Sequence, residues 1–213
     1  MSATPRIAVV DYGAGNLVSI DQAFTSVGAA VTVVRDGEML RDVDALVVPG
    51  VGAAAPAMAR LEQRGLTEPI TRWLASGRPF LGICLGLQLL FEASSENEGA
   101  WGLGLLQGRV DRLPAPGLKV PHIGWNEVRF RKRSALTADL PEACPFYFVH
   151  SFAPVVPSED DVLGTAEYGE PFVCAVEREP LYGVQFHPEK SSVHGLKLLE
   201  NFAGICAAVG AAH

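Results

Sequence analysis

Four short apolar runs, spaced so that each is followed by a stretch of helical period or a Gly-rich turn, constrain this chain most. They are Ile7-Ala-Val-Val-Asp11, Val31-Thr-Val-Val34, Ala45-Leu-Val-Val48 and Pro79-Phe-Leu-Gly-Ile83. Runs that are apolar at every position cannot alternate between core and solvent, so they need cover on both faces. Between them, Leu17, Ile20, Ala23, Phe24 and Val27 recur at the spacing of one helix face. Residues 56–76 repeat that pattern, with a break near Gly65. The expectation is an α/β fold with a mostly parallel central sheet flanked by helices.

The second half is richer in strands. Residues 108–113, 122–130, 146–152, 162–168, 172–177 and 181–186 carry strand character, and Arg178-Glu-Pro180 reads as a tight turn. These predict an antiparallel β extension, followed by a helix over 194–209. A helix is also expected over 86–93, entered through Gly86-Leu-Gln88. At 213 residues, one domain spanning 1–213 is the leading expectation.

Composition narrows the function classes. Apolar residues at 48% against 19% charged exclude disorder as the main state. Lys and Arg total 17 against 24 Asp and Glu, a net charge of −7, so bulk charge does not favour nucleic acid. No apolar run approaches the roughly 18 residues of a membrane helix, so no membrane association is expected. The N-terminus shows no signal-peptide pattern, which points to a cytoplasmic protein. Cys84, Cys144, Cys174 and Cys206 lack metal-ligand spacing, so neither metal nor cofactor is expected. Asp11-Tyr-Gly13-Ala-Gly15-Asn16 invites a dinucleotide reading that fails, because residue 18 is Val where a third Gly is required.

The strongest chemical signal is Phe80-Leu-Gly82-Ile-Cys84-Leu-Gly86-Leu-Gln88. A strand that enters Gly-x-Cys-x-Gly and leaves as a helix is a nucleophile elbow with Cys in place of Ser. The glycines permit a tight, strained turn that lifts the sulfur above the sheet. A helix N-terminus beneath it favours thiolate, and the Leu85 N–H points at a developing oxyanion. The nucleophile needs a base, and Gly183-Val-Gln-Phe-His187-Pro-Glu189 ends a strand with one. Residues two apart share a side in extended chain, so Glu189 is placed to orient His187. The loop Pro49-Gly50-Val51-Gly52 after a neighbouring strand supplies a second oxyanion donor, the Val51 N–H. The basic run Arg129-Phe-Arg-Lys-Arg133 reads first as a solvated hairpin tip, with a phosphate or partner contact as the sharper alternative.

With both motifs in hand, the sequence resembles the class I (triad) glutamine amidotransferases along nearly its whole length. The closer resemblance is to the glutaminase subunits of imidazole glycerol phosphate synthases. The Asp11-Tyr-Gly13 start, Pro121-His-Ile-Gly-Trp-Asn126 and Lys190 after His-Pro-Glu carry that finer likeness. The resemblance implies glutamine hydrolysis at Cys84 with His187 and Glu189. It implies substrate contacts at Gly50, Gly52, Gln88, Glu96 and Ser151, and an oxyanion hole at Val51 and Leu85. It also implies a heterodimer in which a (β/α)8-barrel synthase subunit receives the ammonia, with residues 121–126 on the docking face. A glutaminase for another synthase, and a partner-independent Cys hydrolase on the same scaffold, are the competing readings.

Overall fold

Strand and helix alternate through residue 84 as the apolar runs require. The computed structural model describes residues 4–96 and 99–210. In chain order come β1 (Arg6–Val10), α1 (Leu17–Ser26), β2 (Ala30–Val34), β3 (Ala45–Gly50), α2 (Ala54–Gln63), α3 (Thr67–Ala75) and β4 (Phe80–Cys84). The break expected near Gly65 falls between α2 and α3, where Gly65 adopts φ +63°. Alternate residues of one strand feed opposite faces. Ile7 and Val9 join the core beneath α1, while Ala8 and Val10 join the core beneath α2 and α3. Ile7, Val9 and Val10 each contribute roughly 1.5–3 kcal/mol when fully buried.

The remaining elements are α4 (Leu85–Gln88), β5 (Phe91–Ser94), β6 (Ala100–Trp101), β7 (Leu106–Arg112), β8 (His122–Phe130) and β9 (Ala143–His150). They continue with β10 (Phe152–Val155), β11 (Val162–Tyr168), β12 (Glu170–Arg178), β13 (Leu181–Val184) and α5 (Ser192–Gly210). One nine-stranded sheet runs β2-β1-β3-β4-β13-β12-β11-β8-β9. Its first five strands are parallel neighbours, and the rest form the antiparallel extension. Phe24 of α1 meets Phe202 of α5 with ring centroids 6.2 Å apart, closing one face.

Two expectations need correction. The helix expected over 86–93 ends at Gln88, and the chain turns at once into β5. Leu89, Leu90 and Phe91 are all buried, and a run buried all round carries no helical period. Their carbonyls are answered by the backbone N–H groups of Leu103, Leu105, Leu106 and Gly104. That segment lies close because Gly102 has no Cβ, which would sit 2.2 Å from the Phe91 carbonyl oxygen. The result is a second, four-stranded sheet, β10-β7-β5-β6. The strand expected over 146–152 is likewise two strands. The chain leaves the large sheet at His150 and joins the small one at Phe152, so Ser151 is the crossing point.

Candidate active site

Three adjacent parallel strands deliver their C-terminal ends to one edge. The register pairs Gly50 of β3 with Cys84 of β4, and Ile83 of β4 with Val184 of β13. Cys84 sits at φ 55°, ψ −108°, a left-handed conformation costly for any side chain. The flanking glycines are sterically required. A Cβ on Gly86 would lie 1.7 Å from the Val48 carbonyl oxygen, and one on Gly82 would lie 2.7 Å from the Gly86 oxygen. Backbone therefore packs on backbone, and the turn holds the sulfur up at the sheet edge. Leu85 opens α4, so its N–H has no intrahelical partner. Because α4 is a single turn, the helix dipole expected beneath the sulfur is weak.

His187 lies three residues beyond β13 and is buried. Its Nδ1 is 2.8 Å from Glu189 Oε1, and both side chains are enclosed. Its Nε2 makes no close hydrogen bond and looks onto Cys84. Burial lowers the imidazole, but the nearby Cys84 sulfur and the Glu189 carboxylate raise it further, to about 10. That environment favours the imidazolium form of His187. Ser191 fixes the loop. Its hydroxyl donates to the His187 carbonyl at 2.6 Å and accepts the Tyr147 N–H at 3.0 Å.

Cys84 opens into a crevice of about 190 Å³. Val51, Gly52, Leu85, Gln88, Glu96 and Ser151 all line it. Gly50 lies just behind, where a Cβ would meet the Tyr12 hydroxyl at 2.1 Å. Glu96 Oε2 accepts the Ala54 N–H at 2.9 Å. It thereby caps α2 from a distance, since Ala53 has no side chain to do so. The opposite wall comes from the antiparallel half, through Pro121, Val149, His150 and Phe152.

The family model for class-I glutamine amidotransferases matches residues 8–205. The HisH subunit of imidazole glycerol phosphate synthase from Moorella thermoacetica is 49% identical over 205 residues, covering 96% of this chain and 97% of that one. The HisH subunit from Aquifex aeolicus is 50% identical over 198 residues, covering 92% and 95%. The chain belongs to the class-I glutamine amidotransferases, in their HisH branch. Among solved structures, a glutamine amidotransferase superposes with TM-score 0.72 at 22% identity, covering 93% of this chain and 98% of that one. PurLQS from Thermotoga maritima superposes with TM-score 0.74 at 18% identity, covering 95% and 99%. Both share the fold.

This amidotransferase also holds features that the motif reading missed. His150 donates from Nδ1 to the Phe152 carbonyl at 2.9 Å, which leaves Nε2 to accept from His122 Nδ1 at 3.0 Å. Both rings are neutral, because burial lowers His122 and holds His150 down at about 4. Their spacing in sequence gave no hint of the pair, since β8 and β9 must first align. Gln185 is fully buried beside the sulfur. A glutamine inside the apolar run before His187 was the signal available for it. Arg129 and Lys132 of the basic run are held by Glu127, Glu142 and Glu177, which favours the solvated-tip reading.

Proposed function

We propose that this amidotransferase hydrolyses L-glutamine at Cys84 as the glutaminase subunit of a cytoplasmic imidazole glycerol phosphate synthase. One observation carries the reading. The Cys84 elbow, the Gly50–Gly52 loop and the His187–Glu189 pair leave three neighbouring parallel strands at one edge.

The steps follow from that arrangement. Cys84 sulfur bonds to the side-chain amide carbon of glutamine, and the carbonyl electron pair moves onto oxygen. The Val51 and Leu85 N–H groups meet that oxyanion. His187, protonated and oriented by Glu189, gives its proton to the departing ammonia as the C–N bond breaks. A thioester remains. His187 then takes a proton from water, whose oxygen attacks the thioester carbon, and glutamate leaves as the sulfur is regenerated. Positioned donors of this kind are worth about 10²–10³ in rate each. Gly50 and Gly52 shape the loop, Gln88 and Ser151 contact the substrate, and the Glu96 carboxylate suits its α-ammonium group.

The ammonia acceptor is assigned to a (β/α)8-barrel synthase subunit in a heterodimer. Val149 lines the crevice, and the exposed Ile123, its cross-strand partner, and Trp125 extend an apolar face along β8 that supports docking there. Both sheets share the two hydrophobic cores, which supports reading residues 1–213 as one domain. The test is a Cys84→Ala complex with the partner. Synthesis with added ammonium should persist while glutamine-dependent synthesis is lost, and loss of both would overturn the division of labour.

A further inference from the structure

A fully buried glutamine beside a nucleophile demands an explanation. Removing a primary amide from water is costly unless its hydrogen bonds are replaced, and an apolar residue would fill the same space without that cost. Gln185 has no exposed surface, and its amide lies between two polar partners. The direction of that amide is fixed by a chain of constraints. The Phe152 carbonyl can only accept, so Gln88 must turn its NH₂ group toward it, at 3.1 Å. The same NH₂ reaches Gln185 at 3.0 Å, so Gln185 must answer with its oxygen. The Gln185 NH₂ group is thereby left to the Cys84 sulfur, at 3.6 Å. From the other end, His150 donates to the same Phe152 carbonyl and so helps to hold it.

We propose that Gln185 is a further catalytic residue of this site, one whose side-chain N–H donates to the Cys84 sulfur and holds it as the thiolate. The inference rests on Cys84 being the nucleophile. Two groups then share the sulfur according to its charge. As a thiol, Cys84 donates its S–H to the Val149 carbonyl at 3.8 Å. When that proton passes to His187, the carbonyl oxygen becomes a poor neighbour and the Gln185 N–H a good one. The bond weakens when sulfur joins carbon in the thioester, and it strengthens again as the thiolate departs from the tetrahedral adduct of water. Gln185 therefore favours the charged states at both ends of the cycle. The one-turn α4 offers only a weak dipole for the same purpose.

The test is Gln185→Met, which keeps length and apolar packing but removes the donor. The rate of Cys84 alkylation by iodoacetamide is followed against pH by peptide mass spectrometry. The midpoint of the profile should rise by about one pH unit, so that the rate at a pH below both midpoints falls about tenfold. The kcat for glutamine should fall while KM stays within twofold. A Met variant whose profile superimposes on that of the native chain overturns the proposal. If the variant does not fold, the native chain decides by NMR. The Gln185 side-chain amide protons should shift with the same midpoint as Cys84 alkylation, and a flat response overturns the proposal. The underlying reading has its own control. If Cys84 in the native chain reacts no faster at pH 7 than the buried Cys144, Cys174 and Cys206, the nucleophile assignment falls and the Gln185 role falls with it.

Discussion

The crevice has two walls built on different principles. The parallel wall, from β3, β4 and β13, is rigid because backbone meets backbone. Cys84 is strained at φ 55°, and Gly82 and Gly86 admit no Cβ. The antiparallel wall, from β8, β9 and the crossing at Ser151, is held instead by side chains. Asn126, His122 and His150 link in sequence to the Phe152 carbonyl, and their neighbours Ile123 and Trp125 face solvent. One wall fixes reacting atoms. The other is tunable by protonation and carries the surface assigned to the partner.

The sharpest way to break that contrast is to add one methyl group to the rigid wall. Gly86→Ala places a Cβ against the Val48 carbonyl, and neither backbone has room to retreat. The expected cost is about 3 kcal/mol or more, with glutaminase activity lost even where the chain still folds. Urea denaturation and a glutamine assay measure both. A variant of native stability and activity would show that the wall yields.

Next in size is Glu189→Gln. Loss of the carboxylate should lower kcat by about 10² or more. It should also shift the pH profile. The imidazole of His187 is raised from its ordinary value of 6.5 to about 10 by Cys84 and Glu189, against the lowering effect of burial. The protonated ring is therefore present well above neutrality. Its contribution to stability is complete below about 6.5 and is lost as pH climbs toward 10. The alkaline limb of kcat/KM should move to lower pH in the Gln variant. An unmoved limb would detach Glu189 from His187.

The same two walls explain what was legible in the sequence. Strands covered on both faces are apolar at every position, so β1, β3 and β4 declared themselves. The elbow was legible because its glycines are steric necessities written into the motif. β8 and β11 also stood at their expected bounds, and β8 alternates between buried and more exposed positions along most of its length. The failures came where tertiary contacts decided. Leu89–Phe91 is apolar all round and therefore mute about its period, and the N–H groups of 103–106 take its carbonyls as the chain turns into β5 at Phe91. Ser151 became a crossing point because two sheets compete for the flanking residues. Gln185 and the His122–His150 pair depend on register between strands distant in sequence, which no local pattern contains.

His150→Gln probes the tunable wall. His150 sits at about 4, lowered mainly by burial from an ordinary 6.5. The unfolded chain thus binds the extra proton between those values. The native state should lose on the order of 2–3 kcal/mol as pH falls from 6.5 to 4. A Gln there removes that titration, so the slope of stability against pH over this window should flatten. An unchanged slope would assign the acid sensitivity to other groups.

The smallest expected effect on the chain itself comes from Trp125→Ala. Trp125 is 54% exposed, and its ring meets Tyr147 edge-on with centroids 6.1 Å apart. Removing it should change stability by less than about 1 kcal/mol and leave glutamine hydrolysis by the free chain unaltered. Partner binding should weaken by tenfold or more, because exposed tryptophans are typical anchors of interfaces. Denaturation and titration calorimetry with the synthase subunit separate the two outcomes. Undiminished affinity would move the docking face away from β8. The rigid wall would then stand as before, and the tunable wall would keep its histidines but lose its link to the partner.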